Sequence, residues 1–126
     1  MKKTIIAIVV LVLILTAGIL ETIYIEKTFK ELSERVTEAR NLIIKEDAEG
    51  ALKIIDDTTN WWEERKDKLE LITFSPDLRA LSAALGETKG SLMCGDTQNA
   101  LSKVESILIM SDNVREIINF NIRDII

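Results

Sequence analysis

Residues 4–20 read TIIAIVVLVLILTAGIL and run without a break into residues 21–44, ETIYIEKTFKELSERVTEARNLII. The first stretch is 17 residues long and carries no charge. As a helix rising about 1.5 Å per residue it is roughly 25 Å long, a little short of the roughly 30 Å hydrocarbon core of a bilayer. Ile23, Tyr24 and Ile25 extend it, and Tyr24 falls where an amphipathic ring suits the headgroup level. In the second stretch Ile25, Phe29, Leu32, Val36, Ala39 and Ile43 step by four and three, so they share one face of a helix whose other positions are mainly charged or hydroxylated. One helix therefore serves two environments. The division predicts a transmembrane signal anchor over 1–24 and an extracytoplasmic helical bundle over 25–126.

No polar face exists on 4–20, which disfavours a buried core helix. The alternative to an uncleaved anchor is a secretory signal. Lys2 and Lys3 supply a basic start, Ile5 to Leu15 an apolar core, and Thr16-Ala17-Gly18 small residues, so cleavage near Gly18 would release a secreted protein. Ile19-Leu20 and an unbroken helical pattern argue for retention, and no Cys follows Gly18 to take a lipid. Lys2 and Lys3 lie closer to the apolar stretch than Lys27, Lys30 and Arg35 on its other side. That asymmetry predicts a single pass through the cytoplasmic membrane, amino terminus inside and bundle outside.

The remaining composition supports helices. Among 126 residues, 47% are hydrophobic but only 5% aromatic, with five Gly and one Pro, a poor inventory for strands and their turns. Asp47 is placed to cap a second helix, with Glu49 in its first turn and a stripe of Ala51, Ile55, Thr58, Trp62, Arg65, Leu69 and Ile72; Gly50 is a weak point in it. Ser75-Pro76-Asp77 reads as the start of a third helix, with Leu78, Leu81, Leu85 and Leu92 on its buried side. Gly86, Gly90 and Gly95 predict that this helix is shortened or frayed towards Cys94. Asp96 then caps a last helix in which Leu101, Val104, Leu108, Ser111, Arg115, Ile118, Ile122 and Ile125 form the stripe. Short connections make neighbours antiparallel, so the expected fold is all-α, an up-down bundle of about four helices.

Function classes narrow by exclusion. With no His and one Cys, the chain has no Ser-His-Asp triad, no imidazole or thiolate metal cage and no internal disulfide. Residues 21–126 hold 14 basic and 21 acidic side chains, a net charge of −7, and no basic run, so nucleic acid is not an expected partner. The acidic groups Glu46-Asp47-Glu49, Asp56-Asp57 and Glu63-Glu64-Asp67 lack the spacing of a calcium loop or a paired metal motif and read as helix-end and surface charge. No cofactor, metal or catalytic residue is expected.

Two features are better suited to binding a partner. Trp61 and Trp62 are adjacent, so on a helix their rings point about 100° apart. Trp62 then fills the core while Trp61 packs across a helix boundary or anchors a partner-binding patch. The end of the chain, Ile117-Ile118-Asn119-Phe120-Asn121-Ile122-Arg123-Asp124-Ile125-Ile126, is apolar where chain ends usually fray. It either packs on the first helix or carries Phe120, Ile125 and Ile126 past the bundle onto lipid or a membrane partner. Arg115, Glu116, Arg123 and Asp124 exclude a second span. Self-association through the Ile25 to Ile43 stripe is a further possibility.

The Lys-Lys start before the apolar stretch, Trp61-Trp62-Glu63-Glu64-Arg65-Lys66-Asp67-Lys68-Leu69 and the closing Asn119-Phe120-Asn121-Ile122 together resemble a bacterial family of small membrane-anchored helical proteins, the domain-of-unknown-function family four-three-six-three. The resemblance implies the same architecture and a cytoplasmic-membrane location, and no activity. The resemblance implies that relatives often carry a His shortly after the segment matching Ile72-Thr73-Phe74; this chain has none. The expected function is that of a non-catalytic, membrane-tethered accessory or scaffold protein with a membrane-protein partner. The alternative is a ligand-sensing or solute-binding bundle with a pocket near Trp61, Trp62, Phe74 and Phe120.

Overall fold

The computed structural model describes the backbone of residues 1–72 and 76–125, and their side chains apart from those of 71, 72, 77 and 118–125. Among these residues there are four helices and no strand: α1 (Lys2–Ile44), α2 (Ala48–Ile72), α3 (Pro76–Met93) and α4 (Thr97–Ile125). Each packs on its two neighbours around a ring, α1 on α2 and α4, α3 on α2 and α4. This is the up-down bundle expected from the stripes and short connections.

The two ends of the bundle are built differently. At the end remote from the amino terminus, α1 turns into α2 and α3 into α4 through the same device. Glu46 adopts φ 64° and Gly95 φ 79°. The amides of Glu46 and Asp47 donate to the carbonyls of Ile43 and Leu42, and those of Gly95 and Asp96 to Leu92 and Ser91. In both turns the left-handed residue thus closes the first helix by a paired return of two amides onto its last carbonyls. The aspartate then caps the next helix, Asp47 Oδ1 accepting from the Gly50 amide at 2.9 Å and Asp96 Oδ1 from the Asn99 amide at 3.1 Å. Gly50 is no defect here. A Cβ on it would collide with the Asp47 carboxylate, coming within 2.9 Å of Cγ, so the glycine makes room for the cap.

The core is the sum of the four stripes. Phe29, Leu32, Val36, Ala39 and Ile43 of α1 are buried against Ala51, Ile55, Thr58, Trp62 and Leu69 of α2 and Leu78, Leu81, Ala84, Leu85, Thr88 and Leu92 of α3. Helix α3 is the shortest of the four, 18 residues ending at Met93 as the glycines predict, but it runs unbroken through Gly86 and Gly90 rather than fraying. Both glycines face solvent with nothing near a would-be Cβ, so they cost only helix propensity and the leucine stripe outweighs that. On α4 the buried residues are Ala100, Val104, Ile107 and Ser111, while Leu101 and Leu108 are half-buried at the edge. The stripe is thus displaced from the predicted one, because small Ala100 takes the inward position beside the tight turn. Ser111 is accommodated by two hydrogen bonds to α1, donating to the Phe29 carbonyl at 3.1 Å and sharing 2.7 Å with the Ser33 hydroxyl. The α1 stripe is used up inside the chain, so self-association through it would require the bundle to open. Pro76 is the first residue of α3 as expected; Ser75 and Phe74 lie outside the described residues.

Candidate functional site

Two surfaces stand out, and the first is the amino-terminal half of α1. Residues 1–21 are all exposed, and the most apolar window of α1 has no buried residue at all. Ile5, Leu13, Ile14 and Leu20 each show about 60% of their surface. This rod of apolar side chains projects from a bundle whose first buried residues are Thr28 and Phe29. Its hydroxyls are satisfied on the helix itself: Thr16 donates to the Val12 carbonyl at 2.8 Å and Thr22 to that of Gly18 at 2.9 Å. Both mid-rod hydroxyls thus return to the carbonyl one turn back and leave the outer surface of the rod apolar.

Where rod meets bundle, α1 and α4 are clamped by Glu26, whose Oε1 lies 3.0 and 3.1 Å from two nitrogens of Arg115. On the same turn of α1 the Tyr24 hydroxyl is shielded from solvent and, like Glu26 Oε2, has no hydrogen-bond partner among the described residues.

The second surface surrounds Trp61. The two tryptophans divide their roles as the 100° offset requires. Trp62 is fully buried, meets Phe29 edge to face with centroids 5.8 Å apart, and donates its indole N–H to Ser82 Oγ at 2.9 Å. It has no surface to offer a partner and serves as the pin between α1, α2 and α3. Trp61 is half-buried in the α1–α2 groove. The Arg35 guanidinium sits 4.9 Å from its ring centroid and that of Arg65 6.0 Å. Arg35 is held by Glu31 at 3.1 Å. The patch is therefore an indole flanked by two cations from different helices, an arrangement that leaves a planar apolar edge ringed by charge.

Arg65, which the stripe of α2 placed inward, is instead half-exposed beside Trp61. The Arg35–Trp61 pairing was invisible in the sequence, since the residues sit on different helices and only the α1–α2 register joins them. Nearby, Lys66 Nζ is 2.8 Å from Glu63 Oε2, and this hydrogen bond holds the ammonium above its ordinary pKa against the opposing effect of burial, with the charges of Glu63, Glu70 and Asp67 adding to it. Of the candidate partner-binding residues, Trp61 reaches the surface and Trp62 does not; the side chains of Phe120 and Ile125, and all of Ile126, lie outside the described residues.

The acidic groups stay apart. Among the described residues no three His, Cys, Asp or Glu side chains are arranged to hold a metal ion. Asp56 is paired with Lys89 at 2.6 Å and Glu87 with Lys103 at 2.7 Å, so these carboxylates are spent in bridges between helices. An open groove between α3 and α4 at the remote end is lined by Glu87, Gly90, Ser91, Cys94, Asn99 and Lys103, with Cys94 exposed. No protein-family model matches the chain, and no curated protein or solved structure is similar to it.

Proposed function

We propose that this protein is a membrane-tethered, non-catalytic helical bundle that serves as an accessory or scaffold subunit for a membrane protein. The observation that carries the proposal is the single 43-residue helix α1, whose apolar half is wholly exposed and whose other half supplies one wall of a packed bundle. Exposed apolar surface on that scale needs a bilayer or a partner to cover it. The orientation proposed is amino terminus inside and bundle outside, because Lys2 and Lys3 lie closer to the apolar stretch than the cations on its other side. The surface offered to a partner is the Trp61 patch, since a half-buried aromatic ring flanked by arginines has the composition of an interface anchor.

Two measurements test this. The exposed Cys94 lies at the end of the bundle remote from the rod, so a membrane-impermeant maleimide added to intact cells will label it; labelling only after lysis refutes the orientation. Crosslinking in native membranes with a photoreactive residue at position 64 will capture one membrane protein in near-stoichiometric yield, and Trp61→Ala will abolish the capture. An intact yield in the variant refutes the assignment of the patch.

A further inference from the structure

The rungs between helices fix how far each one reaches towards the rod. Glu87 pairs with Lys103 and Ser91 with Asn99, a register that sets Pro76, the first residue of α3, level with about Val114 of α4. Trp62 pairs with Ser82 and Asp56 with Lys89, so α2 ends about four residues nearer the rod, level with about Ile117 of α4. Helix α4 does not stop there. Its backbone continues to Ile125, which at about 1.5 Å per residue is roughly 16 Å beyond the first residue of α3 and roughly 11 Å beyond the last of α2. Only α1 remains alongside. The Glu26–Arg115 pair places the end of α4 level with the stretch from about Thr16 to Ile23, yet Ile19 and Leu20 are 60% and 61% exposed, the same as Ile5 and Leu13 in the middle of the free rod.

The overhang reads IINFNIRDI over residues 117–125, and Ile117 is 58% exposed. It alternates apolar residues with Asn119, Asn121, Arg123 and Asp124, too polar for the centre of a bilayer and too apolar for water. It also starts at the height at which the apolar rod of α1 begins.

We infer that the last turns of α4, from Ile117 onward, lie in the lipid headgroup layer of the bilayer that takes α1, giving the bundle a second, shallow membrane contact. The inference rests on the membrane reading of α1. The occupant is lipid, because the overhang is continuous in level with the apolar rod and, among the described residues, neither α2 nor α3 extends beyond its first residues to cover it. Two attachments, one deep and one shallow, fix which side of the bundle faces the membrane.

The test uses the full chain in phosphatidylcholine vesicles, in a Cys94→Ser background, with an environment-sensitive fluorophore on Leu13→Cys, Phe120→Cys or Asp112→Cys. Quenchers are iodide in the water and lipids carrying a nitroxide near the headgroup or deep in the acyl chain. The label at position 120 is expected to lose most of its emission to the shallow nitroxide and little to iodide, the label at 13 to respond to the deep nitroxide, and the label at 112 to iodide alone. If position 13 responds to lipid while position 120 responds to iodide only, the shallow contact is refuted and the anchor stands. If position 120 is shielded from every quencher, protein covers it and the lipid assignment is overturned. If position 13 does not respond to lipid, the anchor falls and the shallow contact with it.

Discussion

Replacing the two adjacent tryptophans one at a time separates core from surface, and the structure sets the size of each effect. Trp62 shows no surface, so truncation to Ala forfeits the burial of an indole of roughly 200 Å², less what Ala retains. It also removes the edge-to-face contact with Phe29, of about 1 kcal/mol. Ser82 loses one donor yet keeps its own bond to the Leu78 carbonyl, so no orphan hydroxyl adds to the loss. The total for Trp62→Ala is about 4 kcal/mol, within the usual span for a large aromatic in a core. Trp61 is half-buried, and its removal costs about 1–2 kcal/mol, counting the contact with Arg35. A bundle of this length is stable by roughly 5–15 kcal/mol, so Trp62→Ala consumes a large part and Trp61→Ala a small one. The assay is urea unfolding of the full chain in mild detergent, followed by far-ultraviolet circular dichroism. At about 1–3 kcal/mol per molar urea, Trp62→Ala lowers the midpoint by on the order of 2 M and Trp61→Ala by about a quarter to a half as much. Equal shifts, or a larger one for Trp61→Ala, would refute the division of roles and with it the use of Trp61→Ala as a binding variant.

Three further outcomes follow from the turns and from Lys66. Glu46 occupies the left-handed position that Gly95 fills in the other turn, so Glu46→Gly is expected to stabilise by about 0.5–1 kcal/mol and Gly95→Ala to destabilise by about 1–2 kcal/mol in the same unfolding assay; opposite signs would overturn the turn geometry. Gly50→Ala gains roughly 1 kcal/mol of helix propensity but displaces the Asp47 cap of similar worth, so it is near neutral in the natural chain and stabilising by about 1 kcal/mol in an Asp47→Ala background. The same effect in both backgrounds would show that the two residues do not interact. Lys66 is raised above 10.5 by its hydrogen bond to Glu63, so its contribution is complete below that value and is lost as pH climbs through the raised one. Glu63→Gln moves the loss to lower alkaline pH, read from the Lys66 resonance in a titration, and an unmoved midpoint argues against the pairing.

The parts of this fold visible in the sequence are those governed by periodicity and large side chains. The stripe from Phe29 to Ile43 is buried in the structure, and Asp47 and Asp96 cap as their positions indicated. Reading failed where small residues do the packing. Ala100 was passed over in favour of Leu101, although an alanine beside a tight turn lets two helices approach where a leucine does not. Glycine misled in both directions: Gly86 and Gly90 are tolerated on a wet face, and Gly50 is required by a neighbour's carboxylate. Of the candidate site, the Trp61-Trp62 pair and the apolar rod could be read directly. The cations around Trp61 could not, because Arg35 reaches it through the helix register.

Helix α1 has neither proline nor a break from Lys2 to Ile44, and this makes it a shaft without a swivel. Whatever grips its apolar half sets the compass bearing of the bundle, since each residue of helix corresponds to about 100° of rotation and 1.5 Å of rise. One alanine inserted between Glu21 and Thr22 would leave both halves intact and turn the Trp61 face about a quarter of the way round, while an insertion of seven residues would restore the bearing and raise the bundle by about 10 Å. A bundle built on such a shaft keeps its azimuth as faithfully as its distance from whatever holds the rod.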